Sequence, residues 1–193
     1  MQNPVADIGG VVSLLSAAAA PDIQTAAFRK YLTPDAGLKN PLCSVAPGQG
    51  SRDKVLSVYE WYRILSPRID IEVKSVVYDE PNHILLLDVA QTLHLRGSPF
   101  APAPARLLVR FTLRDDATDG LHYIALQEDF YHPDDFTALL FPPLVPLVRL
   151  GLSMTASASA IYAKCGQLLG FWTADTGNGH DDGGLYGDTR KTQ

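Results

Sequence analysis

From Ile69 onward, apolar and polar side chains alternate with a period of two, and this pattern constrains the fold more than any other feature. The first segment alternates Ile71, Val73, Ser75 and Val77 with Asp70, Glu72 and Lys74. The pattern continues through residues 83–96, 105–115 and 121–131. A period of two puts alternate side chains on opposite faces of a strand, and the connections suit antiparallel neighbours. The sequence therefore predicts a four-stranded antiparallel meander.

The chain before the meander has a helical period. Residues 7–20 and 21–32 predict two short helices, and 51–65 predict a third with Ser51 as its N-cap. Between them, "TPDAGLKNP" and "APGQG" have the composition of turns. Helices followed by a meander indicate an α+β fold with the helices packed on one face of the sheet.

The region after the meander is apolar and interrupted by a proline cluster. We expect the main domain at 1–140, a C-terminal helical extension at 141–172, and a disordered Gly- and Asp-rich tail at 173–193. A membrane span needs about 20 uninterrupted apolar residues. Three interpretations of the extension stay open: a helix that caps the domain's own pocket, a helix at a membrane interface through residues 139–172, and a true span.

Charge and cysteine content exclude several classes of protein. The net charge is −5 and there is no run of Lys or Arg, which argues against a nucleic-acid partner. The two cysteines and the histidines at 83, 94, 122 and 132 lack metal-ligand spacing, so we expect no metal, no cofactor and a reducing compartment. The N-terminus lacks a basic signal-peptide region. These features predict an intracellular protein, cytoplasmic or peripherally membrane-associated.

Two neighbouring strands carry a row of charges on one face. Asp88 and His94 lie beside Arg106, Arg110 and Arg114. This pattern favours a solvated surface or the interface of a homodimer over a catalytic role for the charged row.

The opposite face is leucine-rich and contains Gln91. On the last strand, Gln127, Asp129 and Tyr131 share a face, but periodicity does not decide which face of that strand is inside. An inward Asp129 would have a raised pKa and could act as a general base near neutral pH. An outward Asp129 would be an ordinary strand-end acid.

Three helices followed by a meander resemble the NTF2-like (SnoaL-like) cone fold over residues 5–140. "SPRIDIEVKSVVYDE", "LDVAQTLHL" and "QEDFYHPDDF", followed by "PPLVPLVRL", are most similar to the fungal SigF-like NTF2-like proteins. The resemblance implies N-terminal helices packed on a curved antiparallel sheet. It also implies relatives in fungal natural-product pathways that serve as cyclases, isomerases or epoxide-opening hydrolases. Since one fold hosts many chemistries, the resemblance does not choose among these reactions.

The last strand is also similar to that of limonene-type epoxide hydrolase. That resemblance implies that Asp129 stands where the family keeps its water-activating aspartate, and that Asn40, in "KNPL", lies near the asparagine that holds the water. Gln91 stands where that family has the acid that protonates the epoxide oxygen, and an amide cannot transfer a proton. The candidate donors to an alkoxide or carbonyl oxygen are then Tyr59, Tyr62 and Tyr131.

These features favour a small cofactor-independent enzyme of fungal natural-product metabolism. It would act on a hydrophobic polyketide or terpenoid by general-base epoxide opening, cyclisation or isomerisation. The candidate catalytic residues are Asp129, Gln91 and Asn40. The candidate substrate-binding residues are Gln127, Tyr59, Tyr62, Tyr131 and Phe111. The alternative is a non-catalytic binder of lipid or another hydrophobic ligand, docked on a membrane.

Overall fold

The computed structural model describes residues 1–116 and 119–171. The elements before the meander are α1 (Pro4–Ala17), α2 (Pro21–Tyr31), β1 (Leu32–Lys39), β2 (Ser44–Val45) and α3 (Ser51–Leu65). The meander consists of β3 (Arg68–Asp79), β4 (Ile84–His94), β5 (Pro104–Asp115) and β6 (His122–Tyr131). After it come α4 (Pro133–Leu140), a 3-10 turn (Pro142–Leu144) and α5 (Val145–Leu168). The predicted α+β class, with an extra C-terminal helix, is confirmed.

The sheet has six strands in the order β2-β1-β6-β5-β4-β3. The four predicted strands form the antiparallel meander, and β1 pairs with β6 in parallel. The prediction of a turn at "TPDAGLKNP" is wrong, because most of that segment is β1. Pro34 lies where the pairing with β6 shifts register, between Leu32 and Gly37, and a bulge is where a strand tolerates proline.

The start of α1 and the N-cap residue of α3 differ from the predicted ones, while α3 itself covers the predicted residues 51–65. Helix α1 begins at Pro4 because the Asn3 side chain accepts a hydrogen bond from the backbone N–H of Ala6 (3.1 Å) and caps it. Helix α3 is capped by Gly50, in the left-handed conformation (φ 71°), and not by Ser51. The Ser51 hydroxyl instead donates a hydrogen bond to the carbonyl of Ala36 (2.7 Å). This bond links the start of α3 to β1.

The core lies between the helices and the leucine-rich face of the sheet. Its fully buried members include Ile8, Leu15, Phe28, Leu85 and Phe111. Burial of such side chains contributes on the order of 1.5–3 kcal/mol each. The helices and the inner sheet face are therefore held together chiefly by apolar contact.

A bulge in β6 decides which of its residues face the core. Thr112 of β5 pairs with Leu126 and Leu113 pairs with Ile124, so Ala125 is an extra residue in β6. The bulge changes the phase of the alternation, and both Ile124 and Gln127 are buried. Beyond it, the face that carries Gln127 is the inner one.

The predicted row of charges lies on the outer face and is paired within the chain. Arg106 Nε donates to Asp88 Oδ1 (2.9 Å), and Arg114 Nη1 donates to Asp35 Oδ1 (2.9 Å). His94 lies 2.8 Å from Asp70 of β3, not beside an arginine of β5. Because these pairs are exposed to solvent, which screens them, they contribute little to stability. The homodimer stays a prediction.

The described chain forms two compact units, Met1–Leu150 and residues 151–171. Helix α5 has no buried residue. Among the described residues, one helical stretch, the 27 residues of Pro142–Leu168, is long and apolar enough to cross a membrane, which by itself is weak evidence for a span. The three interpretations of this segment stay predictions, and the tail predicted at 173–193 lies outside the described residues.

Candidate active site

A cavity of about 210 Å³ lies between the inner face of the sheet and helices α1, α3 and α4. Most of its lining is aliphatic or aromatic. All eight sequence-predicted site residues border it: Asn40, Tyr59, Tyr62, Gln91, Phe111, Gln127, Asp129 and Tyr131. The fold thus brings together residues that are up to 91 positions apart in the chain.

Asp129 is the one carboxylic acid among the described residues that line this cavity. It lies on β6 opposite Val109 of β5, and its Oδ1 accepts a hydrogen bond from Gln127 Nε2 (2.8 Å). Burial raises the pKa of Asp129 to about 6, and the Gln127 hydrogen bond opposes that rise. At pH 7 about nine in ten molecules would hold it ionised, so it is a usable base at neutral pH.

Gln127 is fixed at both ends of its amide. Its Nε2 donates to Asp129, and its Oε1 accepts the Tyr59 hydroxyl proton (2.7 Å). Tyr59 comes from α3 and packs edge-on against Phe28, with ring centroids 5.1 Å apart. Burial first, and the nearby Asp129 second, raise the pKa of Tyr59 well above its usual value, so Tyr59 stays protonated. The chain from Tyr59 through Gln127 therefore orients the carboxylate.

A second pair contributes a hydroxyl. Gln91 Nε2 donates to the Tyr131 hydroxyl oxygen (3.1 Å). Burial, and then the charge of Asp129, raise the pKa of Tyr131, which keeps it neutral. Because the Tyr131 oxygen is the acceptor in this contact, its own proton is available to an oxygen of a bound molecule.

Asn40 is more constrained than its predicted role requires. Its Oδ1 accepts from the backbone N–H groups of Leu42 and Cys43 (both 2.9 Å), and its Nδ2 donates to the Tyr62 hydroxyl (2.9 Å). Asn40 can hold a water only through the second hydrogen of its amide. Burial raises the pKa of Tyr62, which also stays neutral.

Phe111 is 1% exposed and closes the floor of the cavity. Sequence reasoning missed Trp61 and Phe136, which also line it. Trp61 lies outside the buried side of α3 that carries Val55 and Tyr59, and the signal that could have found it is a large aromatic residue next to Tyr62 in the sequence. The expected absence of a cofactor stays a prediction.

The family model for the SigF NTF2-like domain matches residues 1–171. The chain belongs to the SigF NTF2-like family. No curated protein matches its sequence significantly. The wider fold family includes polyketide cyclases and isomerases.

Solved structures share the NTF2-like fold with this SigF NTF2-like chain. A putative SnoaL-like polyketide cyclase from Jannaschia sp. CCS1 has a TM-score of 0.53 at 17% identity, covering 73% of this chain and 97% of that one. An NTF2-like protein of unknown function from Burkholderia pseudomallei K96243 has a TM-score of 0.53 at 8% identity, covering 73% and 98%. A hypothetical protein with a ketosteroid isomerase-like fold from Catenulispora acidiphila DSM 44928, in complex with trimethylamine, has a TM-score of 0.50 at 11% identity, covering 67% of this chain and 90% of that one. Identities this low show the fold alone.

Proposed function

We propose that this chain is a cofactor-independent enzyme that moves a proton on a hydrophobic polyketide or terpenoid, with Asp129 as general base. One observation carries the proposal: a single carboxyl group, oriented by Gln127, lies in an apolar cavity with its pKa raised to about 6. A base whose pKa lies near the working pH is mostly ionised and still binds a proton strongly enough to remove it from a substrate.

The polar groups of the cavity divide between a base and a hydrogen-bond donor. Asp129 and Tyr131 are two residues apart on one face of β6, so both address the same bound molecule. Asp129 would take a proton from a carbon next to a carbonyl group. Tyr131, held by Gln91, would donate a hydrogen bond to the oxygen that becomes negative, which is the electrostatic stabilisation an enolate needs.

This arrangement favours isomerisation or cyclisation through an enolate over epoxide opening. Opening an epoxide by the limonene-type route requires an acid to protonate the oxygen, and Gln91 cannot supply that proton. A neutral tyrosine with a raised pKa is suited to stabilising an oxyanion by a hydrogen bond. Epoxide opening stays as the second reaction to be tested.

Proton abstraction can be tested before the natural substrate is identified. A panel of hydrophobic cyclic ketones and β-diketones in D₂O would reveal deuterium uptake at the α-carbon by mass spectrometry. Alicyclic epoxides in ¹⁸O-water would reveal diol formation. We expect Asp129→Asn to lower exchange by about 10²–10⁴-fold, and Tyr131→Phe to lower it by a smaller factor.

Glu128→Gln is the matched control, because Glu128 lies on the opposite face of β6 and pairs with Arg110 (2.5 Å). It should leave exchange unchanged. The catalytic proposal is wrong if NMR shows that the wild-type protein binds members of the panels but its rates of deuterium uptake and of diol formation are no higher than those of Asp129→Asn. Binding alone would then remain as the function.

The second candidate function is a peripheral, membrane-docked binder of hydrophobic ligands, in the cytoplasm or on its membranes. It is favoured by the exposed apolar side chains of the C-terminal helix, among them Leu147, Leu150, Met154 and Ile161. The full chain should float with liposomes and be released by alkaline carbonate, and Leu150→Glu with Ile161→Glu should abolish flotation. Failure of the wild-type chain to float would refute it, and resistance to carbonate would indicate a span.

A further inference from the structure

Three potential metal ligands meet at the end of the sheet opposite the cavity. His83 precedes β4, while Asp115 and His122 are cross-strand partners where β5 ends and β6 begins. Their ligand atoms all lie within 4.8 Å of one another. Spacing along the chain did not reveal the cluster, because strand pairing and not sequence proximity assembles it.

The carboxylate of Asp115 presents one oxygen to each imidazole. Its Oδ1 lies 2.5 Å from His122 Nδ1, and its Oδ2 lies 3.6 Å from His83 Nδ1. His122 and Asp115 are therefore hydrogen-bonded, whereas His83 and Asp115 are too far apart for a hydrogen bond. His83 is therefore directed at the carboxylate without bonding to it.

The backbone at His83 explains how its ring is held there. Among the described residues, His83 is the one non-glycine with a positive φ (53°). Its carbonyl accepts a hydrogen bond from the N–H of Leu113 on β5 (2.8 Å). Left-handed backbone is uncommon for a residue with a side chain and is worth explaining where it occurs. Here it places the imidazole over the β5–β6 end.

Two buried polar atoms at this place have no hydrogen-bond partner in the described part of the chain: His83 Nδ1 and the Tyr78 hydroxyl oxygen. Tyr78 packs edge-on against His122, with ring centroids 6.4 Å apart. Orphaned buried polar atoms are rare in folded proteins and often mark an ion or a bound water. Both orphans occur within one cluster that also contains a carboxylate and a second imidazole.

We propose that His83, Asp115 and His122 bind a divalent transition-metal ion, with Zn²⁺ as the best match. Two imidazole nitrogens and one carboxylate oxygen are a donor set typical of zinc and related borderline ions. Ligand atoms about 2.1 Å from a tetrahedral zinc are roughly 3.4 Å apart, close to the 3.6 Å between His83 and Asp115. The ion would replace the hydrogen bond between His122 and Asp115, and a water would complete the tetrahedron in the fourth position.

The site is separate from the cavity. Asp129 is seven residues beyond His122 on β6, which corresponds to roughly 20 Å along a strand. A metal ion here would tie the residue before β4 to the β5–β6 end. Its role is structural.

Metal binding is measured on the full chain after treatment with a chelator. Calorimetric titration with Zn²⁺ should show one ion per chain, and Co²⁺ should give the visible absorption bands of a tetrahedral site. His83→Ala and His122→Ala should each weaken Zn²⁺ binding by at least tenfold and remove the rise in melting temperature that Zn²⁺ produces. Mg²⁺ and Ca²⁺ should have no effect, because they prefer oxygen ligands.

His94→Ala is the matched control, because His94 forms an exposed pair with Asp70 (2.8 Å) that lacks a second imidazole. It should bind Zn²⁺ as the wild type does. If Zn²⁺ does not saturate the wild-type chain, or if the His83→Ala/His122→Ala double variant binds it equally well, the cluster is an ordinary hydrogen-bonded pair with a neighbouring histidine.

Discussion

Replacing Asp129 with Asn should make the protein more stable at neutral pH, although it removes the base. Burial raises the pKa of Asp129 from 3.8 to about 6, which corresponds to about 3 kcal/mol of unfavourable free energy for the ionised form in the folded state. Asn has nearly the same shape and keeps the oxygen that accepts from Gln127. The variant therefore removes the buried charge and retains the contact.

The sign of this effect depends on pH. Because the folded-state pKa is raised, the folded protein binds the Asp129 proton more tightly than the unfolded chain does. The resulting stabilisation is fully present below pH 3.8, declines as the pH rises, and is lost above about 6. The stability of Asp129→Asn relative to the wild type should therefore grow by up to about 3 kcal/mol between pH 4 and pH 7.5.

Urea unfolding followed by circular dichroism at pH 4, 5, 6 and 7.5 measures this difference directly. Asp22→Asn is the control: Asp22 is an exposed acid in the first turn of α2, and its loss should cost about 0.3–1 kcal/mol at neutral pH. If the difference between Asp129→Asn and the wild type is the same at all four pH values, Asp129 does not have a raised pKa. The assignment of a base would then lose its physical support.

Two further substitutions test the surroundings of the site. Tyr59→Phe leaves the buried Oε1 of Gln127 without its donor and should lower the free energy of unfolding by about 1–3 kcal/mol in urea; an unchanged value would show that the contact is replaced by water. Gly37→Ala would place a Cβ 2.8 Å from the ring of Pro47 and should lower stability by about 1–3 kcal/mol. Gly9→Ala in α1, where an added Cβ meets nothing within 4 Å, should raise the free energy of unfolding by about 0.5–1 kcal/mol. Equal melting temperatures for Gly37→Ala and Gly9→Ala would contradict the packing argument.

The meander could be predicted from sequence because each of its strands has one inner and one outer face, so apolar and polar residues alternate along it. Strand β1 could not be predicted in this way. Its Pro34, Asp35 and Gly37 have turn propensity, and the segment is extended because it pairs with β6, a contact distant in the chain. Local composition does not record such a pairing.

The site was predicted less securely than the fold, and one residue accounts for the difference. The bulge at Ala125 shifts the phase of β6, so simple alternation along the strand cannot state which face of its second half is inside. The likeness to limonene-type proteins placed Asp129 inward. Its hydrogen bonds to Gln127, and through it to Tyr59, depend on α3 and could not be read from β6 alone.

Gln91 gives the site its chemical character by not being an acid. A second carboxylate at that position would share the cavity with Asp129, and two like charges in one apolar site raise the pKa of one of them strongly. With a neutral amide there, Asp129 has neutral hydroxyls and amides around it, and Gln91 is free to hold the Tyr131 hydroxyl oxygen. The cavity then combines one base that is ionised at neutral pH with a neutral donor on the same strand face. That division of roles suits removal of a proton from carbon better than protonation of an epoxide. Removing the proton next to a carbonyl group leaves the negative charge on an enolate oxygen, which a hydrogen bond alone can stabilise, whereas the epoxide oxygen must receive a proton.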